Sequence, residues 1–180
     1  MLLLVSLRGN IFLYQGEELG LPQVELAFAD LQDPEAITNW PMTLSRDGAR
    51  TPMPWRADAS ALGFSETRPW LPLGAAHAAL AVDRQEDNPS SPLALTRRLL
   101  ALRNRSHVLR LGDLRVLHAD ERVLAFERWH DGQALLCCFN LSPEPANWAA
   151  PGEFDMIEQV GTIEGGRLGG YAGYIAERRP

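Results

Sequence analysis

Arg122-Val123-Leu124-Ala125-Phe126-Glu127-Arg128-Trp129 and Ala134-Leu135-Leu136-Cys137-Cys138-Phe139 stand on either side of Asp131-Gly132. Asp-Gly between two such apolar runs predicts a β-hairpin, because a two-residue turn that matches strand twist needs positive φ at both central positions. Upstream, Leu114 to His118 reads as a further strand, set off by a turn at Ala119 to Glu121. Downstream, short strands are expected at Ala146 to Ala149, Met156 to Val160 and Arg167 to Ala176, with glycines marking the bends. About 70 residues from 111 to 180 are therefore expected to form a small antiparallel β-sandwich.

Before the strands lies the clearest helix signal. Ser91 offers an N-cap and Pro92 the first helical position, where its missing N–H is harmless. Leu95, Leu99 and Leu102 follow at helical spacing, with Arg97, Arg98, Arg103 and Arg105 on the wet side. The spacing predicts a helix over 91–109, with Gly112 just beyond as a stop. Residues 1–14 read as a continuous apolar strand, of the kind covered on both faces in parallel sheets, interrupted by Arg8-Gly9-Asn10. MLLLVSL lacks the basic start of a signal peptide and falls short of the roughly 20 residues of a membrane span. From Tyr14 to Asn88 the periodicity dissolves. Nine of the 13 prolines lie between Pro22 and Pro92, and so long a loop is uncommon unless it is functional.

The whole-chain properties narrow the partners. With 180 residues and 46% hydrophobic content, one core, or one core with a satellite domain, is feasible and three are not. All 17 basic residues are arginine, outweighed by 23 acidic ones, and the net charge of −6 argues against nucleic acid or an anionic membrane as partner. Cys137 and Cys138, the only cysteines, are adjacent, a spacing that strains a disulfide, so a cytoplasmic location is expected. His77, His107, His118 and His130 lack metal-ligand spacing, and no cofactor or metal is expected.

Tyr14-Gln15-Gly16-Glu17-Glu18-Leu19-Gly20, Leu31-Gln32-Asp33-Pro34, Ser45-Arg46-Asp47-Gly48-Ala49-Arg50-Thr51-Pro52-Met53-Pro54-Trp55, Gly63-Phe64-Ser65, Pro69-Trp70-Leu71-Pro72 and Val82-Asp83-Arg84-Gln85 occur in this order. The series resembles the α-amylase superfamily, glycoside hydrolase family 13, in its α-glucosidase and oligo-1,6-glucosidase branch. The R-D-x-x-R-T-P-M-x-W string is the most specific part. The resemblance implies an α+β fold, namely the last βα unit of a (β/α)8 TIM barrel followed by the C-terminal β-sandwich. Residues 1–110 would hold the last strand, the long active-site loop and the final helix, and 111–180 the sandwich. Active sites of such barrels are built from βα loops at the strand C-termini.

The resemblance further implies an enzyme that releases terminal α-linked glucose from short oligosaccharides by a retaining mechanism, which needs two carboxylates about 5 to 5.5 Å apart. In the family these lie on earlier strands, so no catalytic residue is expected in this chain and the chain alone is expected to be inactive. Arg50 is the expected substrate contact: its guanidinium fork suits a sugar hydroxyl shared with a carboxylate. Arg46 and Asp47 are expected to hold the loop. Glu17 and Glu18 would orient it as acceptors, since neighbours in extended chain point in opposite directions, with Tyr14 and Gln15 packing below. Trp40, Trp55 and Trp70 read either as platforms for sugar rings or as the loop's own small core. Sucrose- and trehalose-acting relatives share the resemblance. The alternative is a non-catalytic module that dimerises, or pairs with another chain, through the exposed N-terminal strand.

Overall fold

Asp131 (φ 47°) and Gly132 (φ 80°) both take the left-handed conformation and close a two-residue turn in which His130 faces Gln133. The computed structural model describes residues 1–43 and 45–179. They form two compact units, one of Met1–Ile11 with Leu99–Pro180 and one of Phe12–Arg98.

In the first unit the hairpin belongs to an antiparallel meander of β1 (Asp113–Ala119), β2 (Val123–His130) and β3 (Gln133–Asn140). Beside β3 runs β8 (Gly173–Arg178), with β5 (Phe154–Val160) on its far side, giving a five-stranded sheet in the order β1-β2-β3-β8-β5. A second, three-stranded sheet is made by β4 (Ala146–Asn147), β7 (Arg167–Leu168) and β6 (Ile163–Glu164). The strand expected over 167–176 is broken: Tyr171 takes a positive φ of 56°, and the chain turns between β7 and β8.

Strand alternation gives the large sheet two buried faces. Ala125, Leu136, Cys138, Tyr174 and Ala176 point to one, where they share a core with Ala146 and Leu168 of the small sheet. Phe126, Cys137 and Ile175 are buried on the opposite face, where two short helices, α1 (Leu2–Ser6) and α5 (His107–Leu111), pack on β2, β3 and β8. This explains the unbroken apolar run of β3, which has no solvent face to alternate with. Both thiols are therefore buried, on opposite sides of the sheet, and burial pushes each up to about 12.

The N-terminal run corrects the sequence reading. Residues 2–6 are helical, with Leu2, Val5 and Ser6 buried at helical spacing. A leucine-rich run this short is ambiguous by periodicity, and helix satisfies its backbone without a partner strand. Residues 10–14 belong to no helix or strand, and Phe12 is 83% exposed.

Two buried arginines fix this end of the unit, and one of them, Arg103, corrects the sequence reading, which put it on the wet side of its helix. Arg128 of β2 donates to Ser6 O (2.6 Å), Leu109 O (3.1 Å), Gly112 O (2.8 Å) and Asp113 O (3.1 Å). Arg103 donates to Val5 O (2.7 Å), Leu7 O (2.9 Å) and Gly9 O. The acceptors include carbonyls at the ends of α1 and α5, which have no helical partner of their own.

The helix expected over 91–109 is two helices. The first, α4 (Pro92–Arg105), starts where Ser91 Oγ accepts from Ala94 N. Ser106 then leaves helical geometry and caps α5 by accepting from Leu109 N. The division between the compact units falls inside α4, between Arg98 and Leu99.

The second unit is irregular chain with 3-10 turns and the short helices α2 (Pro34–Asn39) and α3 (Val82–Gln85). Its small core joins Leu26, Leu31, Ala36 and Leu71. So little apolar cover puts weight on side chains that satisfy loop backbone. Gln85 is the main one: Nε2 donates to Leu19 O (3.0 Å) and Leu80 O (2.8 Å), and Oε1 accepts from Leu93 N (3.1 Å).

Candidate active-site loop

The loop is built around one tight turn, Arg46–Ala49, whose 3-10 geometry starts where Ser45 Oγ accepts from Asp47 N (3.0 Å). Glycine is required at 48 because Val24 O occupies the place a Cβ would take. The same approach lets Gly48 O accept from Val24 N at 3.0 Å.

Two buried aspartates interlock beneath the turn. Asp33 caps α2, accepting from Glu35 N (3.3 Å), and its two oxygens take both prongs of Arg46, with Nε at 2.7 Å from Oδ2. Asp47 Oδ2 accepts from the amides of Gln32 and Asp33, each at 2.7 Å. Each aspartate thus holds the segment that carries the other. The Arg46 hydrogen bonds keep the Asp33 carboxyl well below the usual carboxylate range.

A lowered pKa means that this stabilisation is present above about 4, the ordinary value, and is lost as pH falls through the folded-state value. The thermal stability difference between wild type and Asp33→Asn is therefore expected to be largest near neutral pH and to shrink towards pH ~2. Melting curves at several pH values check this, and a pH-independent difference counts against it.

Arg50 lies at the end of the turn. Its Nη1 is 3.9 Å from Asp47 Oδ1, and its side chain is 37% exposed while that of Asp47 is buried. The guanidinium makes no hydrogen bond among the described residues, and Asp47 Oδ1 is a buried acceptor without a donor. The partly exposed Arg50 guanidinium thus keeps its donors free for a hydroxyl, while the buried Asp47 carboxylate behind it supplies the opposing charge.

Gln15 Nε2 donates to Thr51 O (3.2 Å), tying the Tyr14–Gly20 segment to the residue after Arg50. Glu17 Oε2 accepts from Tyr14 N (3.1 Å), and Glu18 Oε2 accepts from Gly16 N (2.8 Å). The ring of Tyr14 is half-exposed rather than packed below the turn. Trp40, Trp55 and Trp70 are each about half-exposed.

Sequence reasoning singled out neither Asp33 nor a structural role for His77. For Asp33 the signal was present, an Asp immediately before a Pro at a helix start. His77 is fully buried, with Nδ1 accepting from Gly74 N (3.3 Å) and Nε2 3.5 Å from Thr51 Oγ1, and burial lowers its pKa. It is a neutral strut under the loop. Among the described residues no cluster of three His, Cys, Asp or Glu side chains suits a metal, and no helix is long and apolar enough to cross a membrane.

Residues 1–112 match the family described as "Alpha amylase, catalytic domain". The chain is 43% identical over 149 residues to a probable α-glucosidase of Rhizobium meliloti, covering 83% of this chain and 27% of that protein. It is 29% identical over 164 residues to a probable oligo-1,6-glucosidase 2 of Bacillus subtilis, covering 81% of this chain and 29% of the relative. Among solved structures it is similar to an α-glucosyl transfer enzyme, XgtA, with 49% identity, a TM-score of 0.90 and coverage of 99% of this chain and 34% of that one. The chain thus spans about a third or less of the proteins it matches. With its first 112 residues matching the catalytic-domain family and glucosidase relatives covering most of its length, the chain belongs to the α-amylase family.

Proposed function

We propose that this chain is the C-terminal part of an α-glucosidase that hydrolyses terminal α-linked glucose from short oligosaccharides, and that Arg50 contacts the sugar. The observation that carries the reading is the partly exposed Arg50 guanidinium, whose donors make no hydrogen bond among the described residues and which the buried Asp47 carboxylate faces at 3.9 Å. The retaining mechanism needs a nucleophile and an acid/base about 5 to 5.5 Å apart, and the reading places both outside this chain. In support, four carboxylates of the loop are committed elsewhere: Glu17 and Glu18 to amides of their own turn, Asp33 to Arg46, and Asp47 Oδ2 to two amides. The identity to a glucosyl transfer enzyme favours transfer to a second sugar as an additional outcome of the same retaining chemistry.

The test has two arms. The isolated chain is expected to show no turnover of p-nitrophenyl α-glucoside. A chimera in which it replaces its counterpart in the Rhizobium relative is expected to hydrolyse that substrate. Hydrolysis by the isolated chain, abolished by Glu17→Gln or Glu18→Gln, overturns the assignment of the catalytic groups.

A second reading rests on Ile11, Phe12 and Leu13, an apolar segment outside any helix or strand whose backbone makes no hydrogen bond among the described residues and whose Phe12 is 83% exposed. Such a segment is a template for β-addition, and we propose that in the isolated chain it pairs with a second copy. Light scattering is expected to show a concentration-dependent dimer that Phe12→Asp abolishes, whereas a strict monomer at high concentration rejects the pairing.

A further inference from the structure

The chain contains two Asp-Gly steps, Asp47-Gly48 in the Arg46–Ala49 turn and Asp131-Gly132 at the tip of the β2–β3 hairpin. The dipeptide is the same, but the surroundings are opposite. The side chain of Asp47 is 1% exposed, its Oδ2 accepts from the amides of Gln32 and Asp33, and Val24 O lies against Gly48 where a Cβ would stand. The side chain of Asp131 is 89% exposed, and its ion-pair partner, His130 Nε2, lies at 3.5 Å, longer than an ordinary hydrogen bond. Gly132 N donates to nothing among the described residues, and a Cβ on Gly132 would meet no atom within 4 Å.

We propose that Asp131-Gly132 is a modification site at which the folded protein converts Asp131 to isoaspartate, whereas the fold protects Asp47-Gly48. An Asp carboxyl reaches the next amide nitrogen most freely when that residue is glycine, which has no Cβ in the way. In the first step Gly132 N attacks Cγ of the protonated Asp131 carboxyl. A Cγ–N bond forms, and the carboxyl hydroxyl leaves as water with the amide proton, closing a five-membered succinimide. In the second step water adds to the main-chain carbonyl carbon of Asp131, and the bond from that carbon to Gly132 N breaks, with OH going to carbon and H to nitrogen. The chain then runs through Cβ and Cγ and leaves the α-carboxyl free. One water is released and one consumed, so no oxidant or other reactant is needed.

The two sites differ in the freedom that ring closure requires. The tip of a two-residue hairpin opens without disturbing a packed neighbour. At Asp47 the carboxyl must first release two amides, which means opening the loop around it. The product also matters to the hairpin. Asp131 and Gly132 both take positive φ, as a turn that matches strand twist demands, and an added backbone methylene spoils that match beside the His130–Gln133 pair.

The test is prolonged warm incubation of the 180-residue chain at neutral pH. An isoaspartyl carboxyl methyltransferase then serves as the probe, and fragmentation mass spectrometry separates isoaspartate from aspartate at each site. In the folded chain isoaspartate is expected to accumulate at Asp131 at least about 10-fold faster than at Asp47, which reacts only when the loop opens. In the urea-unfolded chain the two sites are expected to react at comparable rates. Asp131→Glu, which would need a six-membered ring, and Asp131→Gly, which has no carboxyl and suits positive φ, are each expected to remove most of the methyl incorporation, with thermal melts reporting that they fold. Isoaspartate at Asp47 as fast as at Asp131 in the folded chain, none at Asp131, or methyl incorporation unchanged in both variants overturns the proposal.

Discussion

Replacing Arg128 with Met is expected to cost the sheet-containing unit at least about 3 kcal/mol, because it strands buried carbonyl acceptors that each carry a penalty of about 1–3 kcal/mol when left unpaired. The side chain is fully buried and donates to four carbonyls, from Ser6, Leu109, Gly112 and Asp113. No carboxylate pairs with it among the described residues, so its charge is balanced by carbonyl dipoles, and burial lowers its pKa from the ordinary arginine value. Methionine fills the stem of the site but stops short of the guanidinium, so the loss combines unmade hydrogen bonds with a small cavity. For a unit of this size, each kcal/mol corresponds to roughly 4–8 °C in Tm, and a fall of more than about 12 °C is expected in thermal melts. Arg128→Lys rescues little, since an ammonium cannot reach four acceptors spread around a planar fork. A Tm within a few degrees of wild type means that water takes over the carbonyls and that Arg128 is dispensable.

Arg128 also shows where sequence reading stops. Alternation along Val123 to His130 and the Asp131-Gly132 turn identify β2, β3 and their pairing, because both signals are local. An arginine within such a strand reads as a solvent-facing residue. That it is instead the cap of two helices depends on α1 returning from the other end of the chain, and contacts separated by 122 residues leave no local periodicity. The N-terminal run misleads for a related reason: five apolar residues fit a strand or a helix equally well, and only the packing of Leu2 and Val5 beneath the sheet decides. Ser106 is the opposite case, a local cap signal inside an apparently continuous helix, readable in the sequence but masked by the stronger leucine spacing around it.

The loop divides along the same line. The R-D-x-x-R string marks where chemistry is concentrated, and Gly48 between Asp47 and Ala49 marks a tight turn. Neither reveals that Asp33 and Asp47 each hold the other's segment, since that pairing joins irregular stretches 13 to 15 residues apart. Only the structure separates the two arginines of the string. Arg46 is consumed by Asp33 in a bidentate pair, whereas Arg50 faces Asp47 across 3.9 Å with its donors free.

That difference gives the second large effect, read in the chimera with the Rhizobium relative. Arg50→Ala is expected to lower kcat/KM by about 10²-fold, the loss of one or two charge-assisted hydrogen bonds of about 1.5–3 kcal/mol each. Arg46→Ala is expected to act through stability, with kcat/KM per folded molecule little changed. Asp47 separates position from charge. Asp47→Ala leaves the amides of Gln32 and Asp33 without an acceptor and is expected to destabilise the loop unit by about 2–4 kcal/mol. Asp47→Asn keeps an oxygen for those amides but removes the charge opposite Arg50, so the fold is expected to survive while KM rises several-fold and kcat changes less. The double variant Arg50→Ala with Asp47→Asn is then expected to be no worse than Arg50→Ala alone, because Asp47 acts on the sugar chiefly through the guanidinium it positions. Equal and additive losses assign Asp47 its own contact to the sugar through Oδ1, and an unchanged kcat/KM in Arg50→Ala removes this turn from the sugar site.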